Sequence, residues 1–428
     1  MPKIIHIREL TVGHDVDIEE YRHIIDSRDF QRLRNINQLD FNYMAIYPGV
    51  RHTRFWHSVG VLECERRIID MVNSRTNGYK FSESESATAK LAALLHDFKH
   101  SPGSHGVETV LEGVGEPDHD TKTVEVLHTL EEKIKKVPSI DFDLLIKIFK
   151  REHPLYHTIW DLVGSDVLHY LNDDAIMAGL NPLTDADSII AHIAYDGEKY
   201  GVMFKKREVV RKHIEAYVRQ YLTFYNAKAC ALMKGLLRRG VYEAIEAGLK
   251  PSEIWEMNDF ELAIAMHNYS PLSREILERI LYRRLPKAFL TIKIQGYEAF
   301  EDPGNKFNKV FTLPEKKLAN ITKQLKNAEK VIELERSIEK TLDYNPGSIT
   351  VADMPEIRLL KEKDVNLQKK SGEWVTLFTM HPQYAQYRKE FLNGIRREYT
   401  FRIGVHEHLR EDAYKHADEV FGLLTPLI

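Results

Sequence analysis

The sequence predicts a mostly α protein: a helical core with a small β-hairpin and a smaller mixed α/β region towards the C-terminal end. Apolar residues recur at helical spacing through much of residues 56–285. Residues 189–206 are apolar on both sides of Asp196-Gly197, which is typical of a hairpin. After about residue 285 the stretch LPKAFLTIKIQGYEAF alternates like a strand. We therefore expect two parts, residues 1–285 and 286–428.

The first elements follow from local signals. Residues 1–50 predict a short strand or arm and then a helix-turn within DSRDFQRLRNINQL. SVGVLECERRIIDMV places apolar residues among charged ones at helical spacing. SESESATAKLAALLHD begins with serines that can cap a helix, and Pro102 and Gly103 stop it.

The later helices are predicted from the same periodicity. They cover residues 119–151, 157–180, about 206–238 and 313–343. The last of these is highly charged with a narrow apolar stripe, which favours a surface or partner-packing helix over a long coiled coil. The sequence does not define its function.

Composition excludes several classes of protein. The chain has 428 residues and a net charge of −4, so it is not a polycationic nucleic-acid binder. No apolar run approaches the roughly 18 residues that a membrane helix needs, and the start lacks the apolar core of a signal peptide. The two cysteines predict neither a disulfide framework nor a zinc site. A cytoplasmic location is expected.

The stretch HDFKHSPGSH points to a metal site. His96 and Asp97 end an apolar helix, where a desolvated polar pair needs a partner such as a metal ion. A helix-end hydrogen-bonded pair is the alternative for these two residues alone. His57 and Asp166 lie on two further predicted helices, and four ligands from three helices can form a metal cage. Imidazole and carboxylate together suit Fe, Mn, Zn or Mg.

RHTRFWHSVGV, LLHDFKHSPGSH and DVLHYLNDD, in this order, resemble the HD-domain phosphohydrolases. Within them the sequence is most similar to the SAM-and-HD-domain and dGTPase-type deoxynucleoside triphosphate triphosphohydrolases. The resemblance runs from about residue 20 to 228. It implies an HD-domain helical core and a divalent metal, and it favours Asp166 over Asp161 as the fourth ligand. Residues 1–285 would be the catalytic core with its N-terminal arm, and 286–428 a regulatory or assembly region.

Positive and proton-carrying groups are expected around the metal. Arg54 fits as a phosphate ligand, because a guanidinium binds phosphate oxygens with a fork. His100, His105 and His119 lie near the motif and could donate to phosphate or protonate the leaving oxygen. The resemblance adds Asp120 as the partner of His119, in place of the glutamate found in the family. A polar helix-start role for His119 remains the alternative.

The resemblance also implies a deoxyribose pocket. Its expected residues are Gln38, Leu39, Tyr170, Asp174, Tyr221, Tyr225 and Lys228. An aromatic core stripe is the alternative for the tyrosines at 217, 221 and 225. Two departures remove positive charge where relatives carry it: Val167 replaces a lysine and Tyr217 an arginine. Lys99, Arg219 or an added metal ion on the phosphates would have to compensate.

DSRDFQRLR retains three residues that bind an activating nucleotide at a subunit interface in relatives: Asp26, Gln31 and Arg34. Packing around the apolar Phe30 and Leu33 is the alternative. If the site exists, a nucleotide would couple activity to assembly, and the chain would be a homo-oligomer.

The expected function is metal-dependent hydrolysis of deoxynucleoside triphosphates to deoxynucleoside and tripolyphosphate, with or without activation by a nucleotide. Control of the nucleotide pool and antiviral defence are both compatible with it. Another HD phosphohydrolase, either a nucleotidase or a phosphodiesterase, is the first alternative, and the charge losses at Val167 and Tyr217 favour it. A nucleotide-sensing protein with a vestigial metal site is the second. The preferred base, the native metal and the oligomer size remain open.

Overall fold

The computed structural model describes residues 6–9, 14–181, 184–297, 306–352 and 364–427. It is mostly helical, with small sheets, as the sequence predicts. The first twelve helices are α1 (Arg22–Ile25), α2 (Arg28–Arg32), α3 (Asn42–Ala45), α4 (Arg54–Asn73), α5 (Glu83–Leu95), α6 (Ser104–Gly113), α7 (His119–Thr129), α8 (Glu131–Ile134), α9 (Phe142–Phe149), α10 (Tyr156–Trp160), α11 (Ser165–Met177) and α12 (Ala186–Ile190).

Ten further helices follow the hairpin. They are α13 (Arg207–Gln220), α14 (Lys228–Glu246), α15 (Pro251–Ile254), α16 (Asp259–Tyr269), α17 (Pro271–Leu281), α18 (Glu315–Gln324), α19 (Ala328–Thr341), α20 (Pro382–Glu398), α21 (Arg410–Lys415) and α22 (Ala417–Leu423). Each helix in the described part of the chain is too short or too polar to cross a lipid bilayer.

The strands form three small sheets. They are β1 (His6–Glu9), β2 (His14–Asp17), β3 (Ile193–Tyr195), β4 (Tyr200–Met203), β5 (Lys287–Ile294), β6 (Lys309–Leu313), β7 (Ile349–Val351), β8 (Asn366–Gln368), β9 (Trp374–Thr376) and β10 (Thr400–Val405). β1 pairs with β2. The other sheets have the orders β3-β4-β8-β9 and β6-β5-β10-β7. The hairpin predicted around Asp196-Gly197 is β3-β4, with Tyr195 opposite Tyr200.

Local signals place the helices that matter for function. Thr53 accepts a hydrogen bond from the Trp56 amide at the start of α4, and Ser82 forms a capping box with Glu85 at the start of α5. Gly103 has φ +67°, a left-handed conformation that favours glycine, and it leads directly into α6. The prediction that Pro102 and Gly103 end α5 is wrong, because α5 already ends at Leu95 and Gly103 instead immediately precedes α6.

Several predicted helices are divided in the structure. The predicted helix 119–151 is α7, α8 and α9, and Asp118 and Asp141 cap α7 and α9. The predicted helix 157–180 is α10 and α11, separated by an extended turn at Gly164. A capping side chain satisfies free amides at a new helix start, so the break before α9 has a local cause in Asp141, whereas α8 and α11 begin without a side-chain cap.

Two long helices were predicted wrongly as continuous. The predicted helix 206–238 ends at Gln220, continues as a π-helical turn over 221–225 and restarts at Lys228. The Asn226 amide and side chain both donate to the Tyr221 carbonyl, and Ala227 is extended. Tyr217, Tyr221, Tyr225 and Lys228 therefore do not share one continuous helix. The predicted helix 313–343 is α18 and α19, because Asn327 caps the second.

Buried apolar residues form three main clusters. The largest surrounds α4, α5 and α11 and contains the hairpin. A second joins α6 to α14, α16 and α17, and a third lies within the C-terminal sheet. β8 and β9 extend the hairpin sheet, whereas β5 and β10 pack in a separate core. The C-terminal region therefore contributes both to the core around the hairpin and to a core of its own. The boundary at residue 285 stays a prediction.

A buried ion-pair network attaches the C-terminal region to α14. Arg239 is 1% exposed and binds Glu335 at 3.2 Å and Glu339 at 3.3 Å on α19. The same two carboxylates accept the amides of Val351 and Ile349 on β7. Removing one partner from such a network leaves an uncompensated buried charge, so α14, α19 and β7 are held as one unit.

Candidate active site

Four side chains from three helical segments meet inside the largest core. His57 lies on α4, His96 and Asp97 follow α5, and Asp166 lies in the first turn of α11. His57 Nε2 is 3.0 Å from His96 Nε2 and 3.1 Å from an Asp166 oxygen. Asp97 oxygens lie 3.4 Å from His96 Nε2 and 3.7 Å from His57 Nε2. We call these four residues the metal-ligand group.

In both His57 and His96 the other ring nitrogen, Nδ1, forms a hydrogen bond that points away from the place where the four side chains meet. His96 Nδ1 faces the Ala93 carbonyl at 2.8 Å, so it donates, and His57 Nδ1 lies 2.9 Å from His169 Nδ1. Burial lowers the pKa of His57 to about 4, which favours the neutral imidazole that binds metals. Two imidazoles and two carboxylates therefore fit a divalent ion such as Mn, Fe, Zn or Mg.

His169 supports His57 from behind, although no motif in the sequence singles it out. If His57 Nε2 binds an ion, His57 Nδ1 carries the proton and His169 Nδ1 accepts it. His169 is buried against Gly60 on α4, where a Cβ atom would lie 1.9 Å from His169 Nε2. Gly60 therefore makes the space in which His169 can reach the metal ligand.

Arg54 forms an ion pair with Asp97 of the metal-ligand group. Its Nη1 atom lies 2.5 Å from Asp97 Oδ2, and its Nε and Nη2 atoms donate to Ser104 Oγ. Burial alone raises the pKa of the Asp97 carboxyl, but Arg54, His96 and His100 outweigh it and hold that pKa well below its usual value. Asp97 is thus kept ionised, as a metal ligand must be.

A second cluster lies beside the first and is organised by Glu108, which sequence reasoning missed. His100, His105 and His119 all turn Nδ1 towards the Glu108 carboxylate, with distances of 3.1 Å from His105 and 3.2 Å from His119. His100 and His119 stack at 4.1 Å between ring centroids. We call these four residues the Glu108 group. An acidic residue directly after Val107, among the apolar residues of α6, was the available signal.

The Glu108 group keeps a proton on His119. Burial alone lowers the pKa of His119, but the charge and hydrogen bond of Glu108 raise it to about 9. Burial likewise opposes ionisation of Glu108, and His100 and His119 overcome it and hold the pKa of Glu108 well below its usual value. Asp120 lies 3.4 Å from His119 Nε2 but also binds Arg151 at 3.0 Å. Glu108 is therefore the stronger partner of His119.

One cavity of about 780 Å³ joins both groups to the predicted deoxyribose residues. Its volume lies in the usual range for small-molecule sites. The predicted residues that line it are Gln38, Leu39, Arg54, His100, His105, His119, Tyr170, Asp174, Tyr221 and Tyr225, together with the metal-ligand group. The structure thus brings together residues spread over almost 190 positions of the sequence.

Asp174 is held by groups on both sides. His52 Nε2 lies 2.6 Å from one Asp174 oxygen, and the Tyr225 hydroxyl donates to the other. Gln220 donates to the same Tyr225 oxygen at 2.8 Å. His52 is 6% exposed and does not line the cavity, so it acts on a ligand only through Asp174.

Other expected residues lie elsewhere. Lys228 is exposed at the first residue of α14 and is not among the residues that line the cavity. Val167 and Tyr217 are both 4% exposed, within the core. Compensation by Lys99 is wrong, because Lys99 is buried against Asp29 and Glu256, each at 2.9 Å. Arg219 is exposed outside the cavity lining.

The predicted nucleotide-activation residues lie on the surface around α2. Asp26 binds Arg22 at 3.3 Å, Gln31 donates to the Ile25 carbonyl, and Arg34 donates to Gln31 Oε1 at 2.7 Å. The Arg34 guanidinium also covers the Phe55 ring at 3.7 Å. These contacts join near neighbours, and the activating site stays a prediction.

Comparisons with known families agree with this geometry. Residues 54–192 match the HD domain, and residues 218–425 match the HD associated region. The first match contains all four metal-ligand residues and the whole Glu108 group. The chain belongs to the HD-domain phosphohydrolases, whose HD domain binds divalent metals.

Relatives of known sequence span archaea, bacteria and eukaryotes. An uncharacterized protein of Methanocaldococcus jannaschii is 26% identical over 289 residues, which are 66% of this chain and 58% of that protein. Uncharacterized protein YwfO of Bacillus subtilis is 34% identical over 37% of this chain and 36% of its own. A deoxynucleoside triphosphate triphosphohydrolase SAMHD1 homolog of Dictyostelium discoideum is 25% identical over 42% and 37%, respectively. The matches thus span less than two thirds of each relative.

Solved structures share the fold over nearly the whole chain. A phosphohydrolase from Bacteroides thetaiotaomicron superposes with a TM-score of 0.69 and 18% identity, covering 95% of this chain and 100% of that one. A hypothetical protein from Aquifex aeolicus gives a TM-score of 0.67 and 22% identity, covering 96% and 99%. At these identities the likeness shows the fold.

Proposed function

We propose that this HD phosphohydrolase splits deoxynucleoside triphosphates into deoxynucleoside and tripolyphosphate. The observation that carries the proposal is one cavity lined by the metal-ligand group, by the three histidines of the Glu108 group and by Tyr170 and Asp174 of α11. The SAMHD1 homologues among its relatives are named for this activity, which supports the choice of substrate.

The metal-ligand group would hold the ion through His57, His96, Asp97 and Asp166. A divalent ion supplies charge neutralisation at a phosphate and acidifies water. Arg54 keeps Asp97 ionised and oriented. These residues would place the α-phosphate, which is the phosphorus that is attacked in this reaction.

His119 is the group best suited to give a proton to the leaving 5′-oxygen. It carries a proton at neutral pH because Glu108 raises its pKa to about 9. Stacking against His100 and the bond to Glu108 fix its ring beside the metal-ligand group. A positioned acid of this kind contributes about a hundredfold or more to rate.

Tyr170 and Asp174 would select the sugar. They lie one turn apart on α11, and Asp166 lies one turn before Tyr170, so all three face the cavity. Asp174 accepts a 3′-hydroxyl, and the Tyr170 ring, packed under the sugar, excludes a 2′-hydroxyl. Gln38 offers both a donor and an acceptor on the opposite side.

A second candidate is a nucleotidase or phosphodiesterase acting on a less phosphorylated substrate. The buried, uncharged Val167 and Tyr217 favour it, because they add no positive charge near the phosphates. The products distinguish the two: tripolyphosphate with a nucleoside, against orthophosphate or a nucleoside monophosphate.

The test is incubation of the purified protein with each of the four deoxynucleoside triphosphates and with ribonucleotides, in Mn²⁺ or Mg²⁺, followed by chromatography. We expect nucleoside and tripolyphosphate in equal amounts from deoxynucleotides. Orthophosphate or monophosphate as the sole product would reject the proposal. Addition of a second nucleotide, with gel filtration alongside, tests activation through Asp26, Gln31 and Arg34; an unchanged rate and mass would argue against activation and assembly.

A further inference from the structure

Besides the histidines, four lysine and arginine side chains line the cavity within the described part of the chain: Arg54, Lys234, Arg238 and Lys326. Arg54 lies at the metal end and is bonded to Asp97 and Ser104. Arg238 donates to the Val351 carbonyl at 2.6 Å and lies 3.6 Å from Glu335, so it holds β7 and α19. The other two of these side chains are Lys234 and Lys326.

Lys234 lies beside α6, the helix that carries His105 and Glu108. A Cβ atom added to Gly106 on α6 would meet Lys234 Cγ at 3.8 Å, and Gly106 directly follows His105. The Lys234 ammonium is 3.2 Å from the Asp40 carboxylate, next to Leu39 in the cavity wall. An ammonium has three donors, so it can bind Asp40 and a further anion together.

Lys326 lines the same cavity from the connection between α18 and α19. Two residues later Ala328 packs on Gly113, where an added Cβ would be 3.1 Å from the Ala328 Cβ. Thr322, one turn earlier on α18, also lines the cavity, as do Thr109 and Glu112 on α6. Gly106 and Gly113 are seven residues apart, about 10 Å along a helix. Lys234 therefore lies beside one end of α6, and the segment that follows Lys326 packs on the other end.

Two carboxylates line the same part of the cavity. Asp40 is paired with Lys234. Burial, with the charges of Glu108 and Asp118, raises the pKa of Glu112. Lys234, Lys326 and His105 thus line the cavity together with these two carboxylates, of which Asp40 is already paired.

We propose that Lys234 and Lys326 form a polyphosphate subsite along α6, which holds the distal phosphates of the substrate. The inference rests on the proposed function and deepens it, because it names a substrate with more than one phosphate. Ammonium groups bind phosphate as point charges and need no fixed fork. Both lysines come from outside the HD domain match, one from the HD-associated helix α14 and one from the α18–α19 connection.

The experiment uses the full-length metal-loaded protein and inorganic tripolyphosphate as the probe. Calorimetry compares wild type with Lys234→Gln, Lys234→Arg and Lys326→Gln. Lys323→Gln is the matched control, since Lys323 is exposed on α18 and does not line the cavity. We expect each glutamine variant in the subsite to bind tripolyphosphate about tenfold more weakly, while orthophosphate binding, Lys234→Arg and Lys323→Gln stay near wild type.

Kinetics with a deoxynucleoside triphosphate and monophosphate provide the second measurement. In Lys326→Gln, which removes an exposed side chain and should fold normally, KM for the triphosphate should rise about tenfold with little change in kcat. Equal tripolyphosphate affinity in wild type, Lys234→Gln and Lys326→Gln would overturn the subsite even if the protein hydrolyses triphosphates. Lysine-dependent tripolyphosphate binding without triphosphate hydrolysis would leave the subsite standing and reject the proposed function.

Discussion

The metal-ligand group and the Glu108 group are built from the same residue types and touch each other, since Asp97 Oδ1 lies 3.2 Å from His100 Nε2. In the first, two Nε2 atoms face each other at 3.0 Å, and burial lowers the pKa of His57 to about 4. In the second, three Nδ1 atoms surround one carboxylate, and the pKa of His119 rises to about 9. One group is shaped to bind a cation, and the other already carries a proton.

The difference shows that histidine and carboxylate content does not define a site's chemistry. What matters is which ring nitrogen faces the shared point, and whether a carboxylate or another imidazole lies there. Burial disfavours charge in both groups; only a close, ionised partner such as Glu108 overcomes it. The following experiments separate the two groups.

The largest effect is expected at the metal-ligand group. Asp97→Ala should lose the bound metal and about a thousandfold of activity, because the ion supplies several kcal/mol of charge stabilisation. Metal content by plasma emission and kcat with a triphosphate measure the two losses. Asp187→Ala, at an 81% exposed carboxylate, is the control. Since Asp97→Ala also leaves Arg54 without its carboxylate partner, Asp97→Asn tests the same point with less effect on folding. Full metal content and full activity in both variants would show that Asp97 is not a metal ligand.

Glu108→Gln should change the protonation of His119 without changing metal binding. We expect the metal to remain and kcat to fall about a hundredfold. With Glu108 the protonated His119 persists below about pH 9 and is lost as the pH rises through that value; without the carboxylate this alkaline limb should move down towards the ordinary histidine pKa of about 6.5. The stabilisation from the His119–Glu108 pair is likewise complete below about 6.5 and is lost as the pH rises through 9.

The measurement is kcat from pH 5 to 10 at saturating metal, with metal content determined for each protein. An alkaline limb in the same place in wild type and Glu108→Gln would show that His119 is not the group that titrates. Loss of metal in Glu108→Gln would show that the two groups are not chemically separate.

The smallest effect is expected behind the metal, at His169. His169→Ala should weaken metal binding about 10–100-fold, the usual effect of removing an acceptor from a ligating histidine. His169→Asp retains an acceptor and should recover much of the affinity, whereas Gly60→Ala should reproduce the loss by displacing the ring. Chelator competition gives the metal dissociation constants directly. If all three variants bind metal like wild type, the 2.9 Å contact with His57 has no influence on the ion.

Three of the metal-ligand residues, His57, His96 and Asp97, were selected on local signals, whereas the family resemblance favoured Asp166 over Asp161. His96-Asp97 ends an apolar helix, and His57 and Asp166 lie on neighbouring predicted helices. The helix start at Ser82 follows from capping chemistry, although α5 ends at Leu95, before the predicted stop at Pro102 and Gly103. By contrast, the continuous helices predicted over 206–238 and 313–343 were wrong. α18 and α19 pack in one core and α13 and α14 in two different cores, and the periodicity of apolar residues marks neither break.

The sequence by itself determined the mostly α fold, the hairpin at Asp196-Gly197 and which histidines and aspartates were available to bind a metal. Tertiary structure decided the charge, the orientation and the partners of each of those groups. It placed Glu108 among three rings, His169 behind His57 and Lys234 beside α6, and it brought Lys326 to the same cavity. The physical reason is that capping and periodicity act within a few residues, whereas the charge and orientation of a buried side chain depend on partners up to hundreds of positions away.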